Sequence, residues 1–212
     1  MWGWIVKILV SVLVAAISLR LLLKGPKSTA KSTIVLCGPS GAGKTLLAAK
    51  KAGLAGETVT SQAISTVESD WGTLVDTPGH RKLEVLSLAQ ITPATKAIVF
   101  MIDATTSSQF SQPAQKLYKV LQLAEKHSIP VLIAANKYDL FSTLSITKVQ
   151  ALLEDELTKV RDSLEKGLGD THEWLGAEGA FRFADLETCV ELHDGSVKGG
   201  RTQKWDAFVG SV

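Results

Sequence analysis

Apolar and polar positions in this chain alternate between two regular patterns. Ser32-Thr33-Ile34-Val35-Leu36-Cys37, Trp71-Gly72-Thr73-Leu74-Val75, Ala97-Ile98-Val99-Phe100-Met101-Ile102 and Pro130-Val131-Leu132-Ile133-Ala134-Ala135 are short runs without alternation, the signature of strands buried on both faces of a parallel sheet. Between them the apolar residues recur at helical spacing. Leu117, Val120, Leu121 and Ala124 stripe residues 112–127, and Val149, Leu152, Leu153, Leu157, Val160 and Leu164 stripe residues 147–167. A helix is expected from Lys44 to about Ala52, and Trp205 and Phe208 suggest a short final helix closing onto the core. Residues 53–69 are rich in Gly, Ser and Thr without a sustained period and read as a mobile connection. Strands alternating with helices predict an α/β domain over residues 32–212, a doubly wound, mostly parallel sheet.

The amino-terminal residues follow neither pattern. From Trp2 to Leu23 the chain is apolar on every side, with Lys7 and Arg20 near the ends where they can snorkel. Those 22 residues would make about 33 Å of helix, against a hydrocarbon core of about 30 Å. Residues 1–24 are therefore expected to form one transmembrane helix, and residues 25–31 a basic linker whose lysines rest on lipid headgroups. Cations concentrated after the span place the remaining chain on the cytosolic side.

Charge changes the picture of partners. The formal net charge of +2 hides five cations and no acid in residues 1–31, which leaves the body at −3. A mildly acidic body argues against nucleic acid as a direct partner. Cys37 and Cys189 lie in apolar, strand-like runs without metal-ligand spacing and are expected to be reduced core residues.

Gly38-Pro39-Ser40-Gly41-Ala42-Gly43-Lys44-Thr45 has the spacing G-x-x-x-x-G-K-[ST], with a strand before it and a helix after it. Its glycines let backbone N–H groups, including those of Ser40, Gly41, Ala42 and Gly43, converge on phosphate oxygens at a helix amino terminus. Lys44 would reach the terminal phosphates and Thr45 would offer its hydroxyl to Mg²⁺. Asp76, at the end of the second apolar run, is placed to hold Mg²⁺ through water. Gly79 can bring its N–H to a γ-phosphate, and His80 follows where a side chain can orient an attacking water. Thr58, Thr60, Ser61, Ser65 and Thr66 each offer a hydroxyl to the metal, and spacing does not choose among them.

Asn136-Lys137-Tyr138-Asp139 follows the fourth run. A carboxylate at Asp139 can accept from N1–H and the 2-amino group of guanine, and adenine has neither donor there. Asn136 would tie the loop together, and the Lys137 stem would pack over the base. The turn through Ser196 and Val197 could bring backbone N–H groups near the guanine oxygen.

In that order, Gly38 to Thr45, Asp76 to Gly79, Asn136 to Asp139 and Ser196 to Lys198 resemble the small GTPases over the whole body. The chain is most similar to the beta subunits of signal recognition particle receptors. An amino-terminal span close to the phosphate loop, Thr58 to Gln62, Thr73 to His80, Leu132 to Lys137 and Phe183 to Glu187 carry that likeness. The resemblance implies a P-loop GTPase fold, GTP/GDP and Mg²⁺ as cofactors, Thr60 as the residue that closes on the metal, and Lys44 and His80 as the catalytic pair. It also implies a single-pass location in the endoplasmic reticulum membrane, and because no arginine is identifiable as a finger in cis, GTP hydrolysis is expected to be slow and stimulated in trans. The implied partner is the receptor alpha subunit's amino-terminal domain, with the ribosome or translocon beyond it. Thr77 stands where the family often has an apolar residue. A vesicle-coat GTPase of the Arf and Sar kind is the alternative, as is a membrane tether whose nucleotide stays bound.

Overall fold

The computed structural model describes residues 33–54, 63–105, 109–168 and 179–212. The expected span at 1–24, its linker at 25–31 and the hydroxyls of Thr58, Thr60 and Ser61 lie outside them. Among the described residues no helix is long and apolar enough to cross a membrane. Chain contacts separate Met1–Lys31 from Ser32–Val212, and the second unit is described here.

Its strands are β1 (Thr33–Cys37), β2 (Ser65–Ser69), β3 (Gly72–Asp76), β4 (Thr95–Asp103), β5 (Val131–Asn136) and β6 (Val190–Asp194). The helices are α1 (Lys44–Lys51), α2 (Glu84–Leu88), α3 (Ser111–His127), α4 (Ile146–Leu168) and α5 (Gln203–Ser211). Sheet order is β2-β3-β1-β4-β5-β6, parallel throughout except for the β2–β3 pair.

β1 lies between β3 and β4, which cover its two edges, and helices cover its two faces, so Ile34, Val35, Leu36 and Cys37 have no exposure. Successive side chains point to opposite faces of a strand. Ile34 and Leu36 accordingly join Leu47, Trp205 and Phe208 on the side of α1 and α5, whereas Val35 and Cys37 join Leu117, Leu121, Val149 and Leu153 on the side of α3 and α4. Helices thus cover both faces, as the sequence pattern predicts. The chain builds β2 and β3 to one side of β1 and β4 to β6 to the other. That reversal opens a crevice at the strands' carboxyl ends, where ligands bind in open α/β sheets.

Two expectations are corrected. Ser65–Ser69 is not loop but the edge strand β2, and its register runs from Ser65 opposite Asp76 to Ser69 opposite Gly72. The turn is held by Ser69 Oγ, which donates to Gly72 O at 3.0 Å and accepts from Trp71 N at 3.2 Å. Ser65 and Thr66 therefore belong to the sheet edge rather than to a mobile segment. The second correction is Cys189, which is exposed while Cys37 is buried. Cys189 immediately precedes β6, an edge strand covered only in part, so an apolar neighbourhood in sequence does not become a core position.

Candidate functional site

Turns after β1, β3 and β5 converge on the crevice. In the first, Gly38, Gly41 and Gly43 hold φ of 134°, 76° and 101°, the left-handed side that favours glycine. A Cβ on Gly43 would lie 2.4 Å from Asn136 Nδ2. Gly43 is also the N-cap of α1 and, lacking a side chain, leaves the first-turn N–H groups to the loop.

Lys44, which begins α1, is buried, and its Nζ donates to Pro39 O at 2.7 Å. Burial lowers its pKa to about 8, helped by the Lys116 ammonium and opposed by Asp76. Thr45 Oγ1 donates to Asp76 Oδ2 at 2.7 Å, joining the loop to the end of β3. Thr77, the departure noted in the sequence, donates its hydroxyl to Leu36 O at 2.7 Å and so anchors the turn after β3 to β1. Gly79 packs against the phosphate loop so closely that a Cβ there would be 2.5 Å from Ser40 N. His80 is exposed, and its Nδ1 accepts from Lys82 N at 3.2 Å, capping the short 3-10 turn Arg81–Leu83.

At the other end Asn136 Nδ2 donates to Ala42 O at 2.8 Å, and Asn136 Oδ1 accepts from Val197 N at 2.9 Å. One amide thus ties the phosphate loop, β5 and the turn after β6 together. Lys137 takes φ of 73° and pairs with Asp103 Oδ2 at 2.6 Å. Asp139 Oδ1 accepts from Ser196 Oγ at 2.5 Å, a bond that holds its carboxyl below the usual range. Lys50 braces the same turn from α1, donating to Val197 O at 2.6 Å and Lys198 O at 3.1 Å.

Between these turns lies a cleft of about 320 Å³. Of the expected residues, Ser40, Gly41, Gly43, Lys44, Thr45, Gly79, Asn136, Lys137 and Asp139 line it. Leu46, Thr77, Leu140 and Lys198 line it too, although the sequence reading assigned them no role there. Gly38, Ala42, Asp76 and Ser196 stand behind as supports. His80 does not reach the lining, and Val197 spends its N–H on Asn136 while its side chain is wholly buried. Lys198 takes the lining place instead. The cleft is cationic at Lys44, Lys137 and Lys198 and offers a carboxylate at Asp139, which suits an anionic ligand carrying a hydrogen-bond-donating ring.

Sequence reasoning missed Lys116. Its Nζ donates to Gly38 O at 3.1 Å and Pro78 O at 3.3 Å from within α3. The available signal was its spacing, one residue before Leu117 and four before Val120, on the apolar stripe.

The family described as signal recognition particle receptor beta subunit matches residues 29–190. The chain belongs to the signal recognition particle receptor beta subunit family. It is 31% identical over 201 residues to the subunit of Saccharomyces cerevisiae, covering 84% of this chain and 82% of that one. The family's architecture recurs in the signal recognition particle receptor SRb-GDP-Mg from Chaetomium thermophilum, similar with a TM-score of 0.71 at 30% identity over 85% of this chain and 97% of that one. The SRb-GTP/SRX complex from the same organism is similar with a TM-score of 0.67 at 29% identity, over 85% of this chain and 98% of that chain.

Proposed function

We propose that this family member is a membrane-anchored GTP switch whose GTP form holds the receptor alpha subunit at the endoplasmic reticulum for co-translational targeting. One observation carries the reading. Side chains from the turns after β1, β3 and β5 line one cleft, cationic where phosphates would lie and with Asp139 where a guanine edge would lie. The similar SRb-GDP-Mg and SRb-GTP/SRX structures support the nucleotide, the metal and the kind of partner. The chain's apolar amino terminus supports the anchor.

The residues fit nucleotide and metal on structural grounds, because Lys44, Lys137 and Lys198 bring cationic groups to the cleft and the Thr45 hydroxyl and Asp76 carboxylate stand together as oxygen donors. Mg²⁺, when bound, neutralises charge on the β- and γ-phosphates. Thr45 and Thr60 would hold it directly and Asp76 through water, the Thr45–Asp76 bond keeping both groups in place. Lys44 would stabilise charge on the terminal phosphate, the loop N–H groups from Ser40 to Thr45 would orient it, and Gly79 N–H would serve it from the turn after β3. Asp139 would read the guanine edge, Asn136 would frame it, Ser196 would hold Asp139, and Val197 would act through Asn136. His80 would orient the attacking water by leaving the capping position it holds here. Among the described residues no arginine lines the cleft, so intrinsic hydrolysis would be slow and help would come in trans.

The test is a pull-down of the full chain in detergent with the alpha subunit's amino-terminal domain, loaded in parallel with a non-hydrolysable GTP analogue and with GDP. Binding confined to the analogue is expected, and binding in neither state would remove the recruiting role. Alkaline extraction of membranes checks the anchor, since release as a peripheral protein contradicts a span. Hydrolysis stimulated by partner and ribosome in single turnover would exclude a static tether.

A further inference from the structure

Lys116 is a buried charge that the proposed chemistry does not use. Only 7% exposed, it extends from α3 to two main-chain carbonyls, those of Gly38 and Pro78. Burial lowers its pKa, and Glu84 favours its charged form. An ammonium in such a place is costly unless it is hydrogen-bonded, so its position needs a reason.

Pro78 O accepts a second bond, from Ser87 Oγ at 2.8 Å, and Ser87 has no exposure. Both donors therefore grip one carbonyl from inside the domain. The Pro78–Gly79 peptide is trans, so its C=O and N–H point in opposite directions. Holding the carbonyl inward turns Gly79 N–H outward, to the side where Gly79 lines the cleft and approaches Ser40. The other bond of Lys116, to Gly38 O, references that peptide to the phosphate loop itself.

We infer that Lys116, together with Ser87, is a positioning residue that orients the Pro78–Gly79 peptide so that Gly79 N–H serves a terminal phosphate, and thereby sets the preference for GTP over GDP. The inference rests on the GTP-switch reading. GDP lacks the phosphate that this N–H would meet, so loss of the grip weakens the triphosphate selectively. General damage to the fold would weaken both nucleotides together.

Affinities of the full chain for GDP and a non-hydrolysable GTP analogue are compared in the wild type, Lys116→Met and Ser87→Ala. Lys116→Met keeps the buried stem, and Ser87→Ala removes the second donor without touching a buried charge. The ratio of analogue to GDP affinity should fall roughly tenfold for Lys116→Met and about fivefold for Ser87→Ala. The ³¹P resonance of the bound γ-phosphate should move in both. If Lys116→Met does not fold, Ser87→Ala decides alone. A wild type that binds neither nucleotide overturns the switch reading and this inference with it. A wild type that binds both, with the ratio and resonance unchanged in the folded variants, overturns this inference alone.

Discussion

Thr45 Oγ1 and Asp76 Oδ2 lie 2.7 Å apart, a hydroxyl at the start of α1 donating to a carboxylate at the end of β3. The two residues are 31 positions apart in sequence, and the bond ties the first turn of α1, which lines the cleft, to the buried end of β3 behind it. If Asp76 holds Mg²⁺ through water, Asp76→Asn should lower Mg²⁺ affinity about 10–100-fold. Titrating Mg²⁺ against nucleotide release measures it, and an unaltered Mg²⁺ requirement would remove Asp76 from the metal's surroundings.

Asp139 is exposed and accepts from the Ser196 hydroxyl, so its replacement should disturb recognition more than folding. Asp139→Asn should move preference from guanine toward xanthine nucleotides, because charged hydrogen bonds of about 1.5–3 kcal/mol each are exchanged. Competition between GTP and xanthosine triphosphate reads this directly, and a retained guanine preference would refute the base-reading role.

Lys44 predicts a proton linkage. Its pKa is lowered to about 8, whereas unfolding returns it to the ordinary lysine value of about 10.4. Between those values the unfolded chain binds more protons, so this group makes the free protein more stable as pH rises across that window. A neighbouring phosphate favours the ammonium and raises the pKa again. Nucleotide binding near pH 8–9 should therefore take up protons, and affinity should decline as pH rises through that range. Calorimetry in buffers of different ionisation enthalpy will show the uptake, and a buffer-independent heat would contradict it.

Gly43→Ala places a Cβ 2.4 Å from Asn136 Nδ2 at a residue with φ of 101°. Strain and overpacking together should cost about 2–4 kcal/mol. Because Asn136 also holds Val197 N, guanine affinity should fall along with stability. Denaturant unfolding and nucleotide titration of the same variant separate the two effects.

Trp205 is wholly buried, donates Nε1 to His193 O at 3.2 Å and packs against Gly195. Trp205→Ala should destabilise the domain by about 3–5 kcal/mol. Urea unfolding is the measurement, and a change below 1 kcal/mol would mean that α5 does not close the core.

Much of this protein was determined by short stretches of sequence alone. The runs Ile34 to Cys37, Ala97 to Ile102 and Val131 to Ala135 specify strands because a strand buried on both faces must be apolar at every position. The stripe through Leu117, Val120, Leu121 and Ala124 specifies α3 because 3.6-residue periodicity is local. The phosphate-loop and Asn136 to Asp139 motifs are equally local, so the expectation they carry needs no knowledge of the fold. Other features depended on pairing across the chain. β2 has a polar, half-exposed sequence and becomes a strand only because β3 offers it an edge. Cys189 is exposed because β6 is an outer strand, and Val197 N–H is taken by Asn136 from another turn. Lys116 looks like a surface lysine until α3 packs it beneath Gly38 and Pro78. Periodicity records what each residue does to its neighbours in sequence; hydrogen-bond partners 61 or 78 positions away are chosen only when the sheet brings them together.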